Sequence, residues 1–74
     1  MINKSFANVL RRLRKEKQLS QEQFGFQADL HRTYVSQLER GLKSPSLTTL
    51  HKITLVLDTN LTELMSLVEQ ENDA

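Results

Sequence analysis

Apolar residues in this chain recur every three or four positions through five successive blocks, and nowhere does strict alternation last a strand's length. That period makes the fold all-α. Two glycines and one proline are the only strong backbone punctuation in 74 residues. A chain of this size forms one domain with a small core, near the lower limit for unaided folding. It contains no cysteine, so neither a disulfide framework nor a thiolate metal site can support it. Helix packing must hold it, with a partner subunit as the available supplement. The lack of cysteine suits a reducing cytoplasm.

The first block predicts a helix over Ser5–Lys17. Phe6, Val9, Leu10 and Leu13 share one stripe, and Arg11, Arg12 and Lys15 fall opposite. Helix 2 is announced by SQEQ, in which Ser20 is an N-cap and Gln23 completes a capping box. Phe24 and Ala28 point inward, and Asp29 ends the helix because it tolerates turn geometry. Helix 3 runs from Arg32 to Arg40 and stops at Gly41. After the KSPS loop, Ser46 caps helix 4, whose stripe is Leu47, Leu50, Ile53 and Leu57. A break at Asp58–Asn60 precedes helix 5, with Leu61, Leu64, Met65 and Val68 in phase and a frayed tail.

The net charge of +1 conceals an asymmetry. Residues 1–52 hold all ten Lys and Arg against four acids, a net +6, whereas residues 53–74 hold five acids and no cation, a net −5. A polyanion-binding module with an acidic rear has this distribution, as does a surface that is merely uneven. No segment approaches the roughly 20 apolar residues of a membrane span, and the start, MINKSFANVLRRLRKEK, lacks a signal-peptide pattern. The chain is therefore expected to be soluble, unprocessed and complete from Met1.

Two short helices joined by a three- or four-residue turn form the unit that presents a helix to the DNA major groove. With Val35 and Leu38 inward, helical projection turns Thr33, Ser36, Gln37 and Arg40 outward and sets Arg32 and Tyr34 on the flanks. Arg pairs bidentately with guanine, Gln with adenine, and Ser or Thr with either base class. Helix 3 carries no acid on that face. A solvated helix face ordinarily mixes both signs, which makes DNA readout the better of the two readings.

The stretch SQEQFGFQADLHRTYVSQLERGLKSPSLTTLHKI resembles the Cro/CI-type, or Xre, helix-turn-helix family, and HRTYVSQLERG is especially similar to the controller proteins of restriction–modification systems. The resemblance covers Phe6–Leu64. It implies a compact five-helix, lambda-repressor-like DNA-binding domain over residues 1–74, with the helix-turn-helix at 21–40. Helices 4 and 5, residues 46–70, would serve dimerisation, and 71–74 would fray. It further implies base contacts from Arg32, Thr33, Ser36 and Gln37. Phosphate contacts would come from Gln21, Tyr34, Arg40, Lys43, Ser44, Ser46 and Thr49. Plainer roles remain open: Tyr34 as a packing aromatic, Gln21 as a first-turn residue, Ser46 as an N-cap and Lys43 as a solvated charge. Related proteins pair the positions of Arg14 and Glu39, so these imply a structural ion pair. The sequence departs from the family at Gly25, at Asp29 and at His31. Gly25 replaces the usual Ala at an expected cost of about 0.5–1 kcal/mol. Asp29 replaces a turn glycine, and His31 is a weak N-cap that offers a pH-sensitive phosphate contact.

The partners expected are double-stranded operator DNA and a second copy of the chain, with RNA polymerase added where regulation is activating. Leu55 and Val56 lie off the helix 4 stripe and Leu67 off that of helix 5. Together with Leu61 and Leu64 they form the expected dimer face, unless helix 1 or the tail covers them. A two-fold dimer reads a palindrome with half-sites about 34 Å apart. Catalysis is not expected: His31 and His51 are the only histidines, and no phosphate loop or metal-ligand spacing occurs. Neither a cofactor, a metal nor a small-molecule ligand is expected. A phage-type repressor and an antitoxin are the alternatives, and both commonly carry extra sequence for which there is little room. The expected setting is the bacterial cytoplasm, at the nucleoid.

Overall fold

Local hydrogen bonds and left-handed residues, more than glycine or proline, set the ends of the helices. The computed structural model describes all 74 residues, with helices α1 (Ile2–Glu16), α2 (Gln21–Ala28), α3 (Arg32–Glu39), α4 (Leu47–Val56) and α5 (Leu61–Asp73) joined by short turns and loops. Ser20 starts α2 with the full capping box: its hydroxyl accepts from the Gln23 amide at 3.0 Å, and Gln23 Oε1 accepts from the Ser20 amide at 2.8 Å. Ser46 and Asn60 cap α4 and α5 one way only, their side chains accepting from the Thr49 and Glu63 amides. Gln18, Asp29 and Asp58 have φ of 60°, 57° and 54°, so three of the four left-handed turns lack glycine. Only Gly41, at φ 71°, supplies the usual residue.

Two helix limits differ from the sequence expectation. α1 begins at Ile2, three residues before Ser5, because Ser5 is itself buried and its amide donates to the Met1 carbonyl at 3.1 Å. The expected frayed tail at 71–74 is instead helical through Asp73. Ser5 Oγ donates to Asn72 Oδ1 at 3.0 Å, Asn8 Nδ2 donates to Glu71 Oε2 at 3.3 Å, and Arg12 lies 3.6 Å from Glu71. These contacts clasp the end of α5 along α1 from Ser5 to Arg12.

The core draws on every helix: Phe6, Val9 and Leu10 from α1, Phe24 and Ala28 from α2, Val35 and Leu38 from α3, Ile53 from α4 with Leu57 at its cap, and Leu64 and Val68 from α5. α1 packs on α3 and α5, and α2 on α3 and α4. Leu47, expected on the inward stripe of α4, is exposed. It is the first helical residue, beyond the edge of the core. No helix is long and apolar enough to cross a membrane.

Gly25 has a reason the sequence did not disclose. A Cβ at this position would lie 2.5 Å from the Leu30 carbonyl oxygen, closer than any real contact. The turn after α2 folds back there, and the Leu30 amide donates to the Gly25 carbonyl at 2.8 Å. The expected penalty relative to Ala is thus reversed: the backbone path requires glycine.

Candidate nucleic-acid interface

α3 is anchored along one side by Val35 and Leu38, both fully buried. On the other side Arg32, Thr33 and Arg40 are exposed, and Ser36, Gln37 and Tyr34 are half-buried. Tyr34 packs partly against the core. The helix begins on His31, whose Nδ1 accepts from the Thr33 amide at 3.1 Å. The weak cap expected at this position is therefore a real side-chain cap, and that hydrogen bond requires an unprotonated Nδ1.

The far end of α3 is fixed by a buried polar cluster. Arg14 Nε and Nη2 donate to the two carboxylate oxygens of Glu39 at 2.6 and 2.9 Å. Arg14 Nη1 donates to the Leu19 carbonyl at 2.7 Å, and Arg11 Nη2 to the Glu39 carbonyl at 3.2 Å. The hydrogen bonds with Glu39 raise the pKa of Arg14, burial opposes that shift, and the carboxylate's charge adds to it. Gln21, the first residue of α2, donates from Nε2 to Glu39 Oε1 at 3.1 Å. Its amide is thus tied into the cluster, with one Nε2 hydrogen uncommitted. One carboxylate fixes α1, α2 and α3 against one another.

The remaining expected phosphate ligands form a second group. Lys43, Ser44 and Ser46 are exposed around the loop between α3 and α4, and Thr49 is half-buried in the first turn of α4. Ser46 Oγ is committed locally, accepting from the Thr49 amide at 3.1 Å and donating to Thr49 Oγ1 at 3.0 Å.

The expected dimer residues separate. Leu55 is 66% exposed, and Val56, Leu61 and Leu67 are half-buried. Leu64 is fully buried in the monomer's own core, so it is withdrawn from the interface set. It points inward because it lies one helical turn before Val68, on the side of α5 that packs against α1.

Two surface features were missed. Glu22 Oε2 lies 3.4 Å from Arg32 Nη1, so an acid from α2 borders the face that appeared acid-free when α3 was projected alone. Phe26 is almost wholly exposed on α2. The signal was present in the sequence and went unused: Phe26 lies about 200° around the helix from the inward Phe24.

A helix-turn-helix family model matches residues 10–64. The control protein C.MunI of a Mycoplasma species is 51% identical over 67 residues, which cover 89% of this chain and 90% of that protein. The crystal structure of the restriction–modification controller protein C.AhdI from Aeromonas hydrophila is 40% identical, with a TM-score of 0.80 over 84% of this chain and 90% of that one. A C.Esp1396I tetramer in complex with its natural 35-base-pair operator has a subunit matching at TM-score 0.86 and 24% identity, over 96% and 93% of the two chains. At that identity the likeness is one of fold.

Proposed function

The chain belongs to the helix-turn-helix family and, within it, to the control proteins of restriction–modification systems, and on that footing we propose that it binds its operator as a homodimer with α3 in the major groove. Arg32, Thr33, Ser36 and Gln37 face base edges in this reading. Tyr34, Arg40, Lys43 and Ser44 hold phosphates, as does Gln21 through its uncommitted amide hydrogen, with Ser46 and Thr49 at the α4 N-terminus. The protein acts by binding rather than by catalysis, in the bacterial cytoplasm at the nucleoid. Residues 21–40 form the reading unit, and helices α4 and α5 supply the dimer face through Leu55, Val56, Leu61 and Leu67.

The observation that carries this reading is the pairing of an outward Arg, Thr, Ser and Gln face with a rigid mount. Val35 and Leu38 seat α3, and the Arg14–Glu39–Gln21 cluster locks its angle to α2. Base readout needs side chains held within hydrogen-bond distance of fixed groove positions, so such a mount serves it directly. The size is also compatible: the protomer measures 31 × 24 × 23 Å. Two copies in contact across a two-fold axis can therefore hold their α3 helices about 34 Å apart, one turn of DNA.

The test is a titration of the protein against a duplex from immediately upstream of its gene and a shuffled duplex of equal composition, across about 50 to 200 mM salt. The upstream duplex is expected to bind more tightly at every salt concentration, and both affinities should fall steeply through counterion release. Equal affinity for the two duplexes would remove the reading.

A further inference from the structure

Glu22 is an acid beside the proposed reading face, and it stands against the arginine that opens that face. It is the second residue of α2, and Arg32 is the first of α3. Arg32 Nη1 donates to Glu22 Oε2 at 3.4 Å, and the two side chains are 66% and 75% exposed. A carboxylate near DNA repels phosphate, so on affinity alone this position favours Gln or Lys. The geometry suggests what Glu22 provides in exchange. The guanidinium is planar, with donors along more than one edge. A carboxylate on Nη1 occupies one part of that fork and leaves other donors for a two-pronged contact with guanine.

We infer that Glu22 is a positioning residue for Arg32, restricting its guanidinium from across the helix-turn-helix so that the arginine reads a base edge instead of wandering to a phosphate. The inference rests on the reading of α3 given above. Arg32 unrestrained carries many rotamers and finds the nearest phosphate on any sequence, which strengthens binding without discriminating. With Glu22 in place the phosphate route is opposed by charge, and the free part of the fork is directed toward the groove. The same carboxylate therefore lowers binding to arbitrary DNA and raises the ratio between operator and other sequences. Because the pair is exposed, its effect is small and falls with salt.

A double-mutant cycle with Glu22→Gln and Arg32→Ala separates this role from that of an ordinary surface acid. The upstream duplex and the shuffled duplex serve as probes at low salt, and circular dichroism checks that helix content is retained. In the wild-type background Glu22→Gln is expected to tighten binding to the shuffled duplex and to cut the upstream-to-shuffled ratio about two- to fivefold. In the Arg32→Ala background the same change is expected to leave the ratio where it was. An equal gain on both duplexes in the wild-type background, or an equal fall in ratio with and without Arg32, overturns the inference while the reading of α3 stands. A ratio untouched by Arg32→Ala alone sinks that reading, and the inference with it.

Discussion

Arg14 and Glu39 meet across α1 and α3 through two hydrogen bonds, at 2.6 and 2.9 Å, with both side chains withdrawn from water. Removing one partner strands a buried charge, which costs about 3–5 kcal/mol, whereas replacing both with apolar groups can be nearly neutral. Arg14→Ala and Glu39→Ala should each lower stability by that amount in urea denaturation. The double variant Arg14→Met with Glu39→Leu should lose less than either. Loss of the cluster also frees Gln21, so DNA binding should weaken even in variants that stay folded.

The pH behaviour follows from the direction of the shift on Arg14. Its pKa is raised in the folded state by the hydrogen bonds to Glu39, so its stabilisation is complete below the unfolded value and fades only as pH rises through the folded one. Both values lie far above neutrality. The stability difference between wild type and Arg14→Ala should therefore stay flat from about pH 6 to pH 9, as read from denaturation midpoints.

Backbone changes at Gly25, in α2 beneath the turn that follows it, and at Asp29, in that turn, should act in opposite senses. Gly25→Ala places a Cβ 2.5 Å from the Leu30 carbonyl, and overpacking of this kind costs about 1–3 kcal/mol. Asp29→Gly relieves a left-handed residue at φ 57°, though it forfeits an exposed contact with Lys52 at 3.5 Å and frees the unfolded chain. A net gain of up to about 1 kcal/mol is expected. Thermal denaturation of the two variants tests both signs.

Assembly and folding should separate at two leucines that the sequence alone placed together. Leu55 is 66% exposed and Leu64 fully buried. Leu55→Glu should leave the helix content intact and shift sedimentation toward the monomer. Leu64→Ala should instead destabilise each protomer by about 2–5 kcal/mol. A fully dimeric Leu55→Glu variant would move the interface elsewhere.

The fold was largely legible because its signals are local. Helical spacing places Phe24, Ala28, Val35 and Leu38 inward, and the Ser20–Gln23 capping box and Gly41 mark helix ends within a turn. What escaped depends on distant partners. Nothing near Glu71 and Asn72 tells that Asn8 and Ser5 hold them, so the tail read as frayed. The strict need for Gly25 arises from the path of Leu30 across it. Leu64 was placed on the apolar stripe of helix 5 and also on the dimer face, because a projection gives a helix's apolar side but not which neighbour fills it. Glu22 escaped because α3 was projected without α2 beside it.

The most direct test is the operator preference of a chain in which Arg32, Thr33, Ser36 and Gln37 are all changed to Ala, with Lys43→Ala as its counterpart. The first variant keeps the Val35 and Leu38 seat and the Arg14–Glu39 cluster, so its helix content should match wild type. Its affinity for the upstream duplex should collapse to that for the shuffled one, since each lost base contact is worth about 1–3 kcal/mol of discrimination. Lys43→Ala should weaken both duplexes alike and leave their ratio unchanged. A folded four-alanine variant that still prefers the upstream duplex as strongly as wild type would mean that α3 does not read the operator.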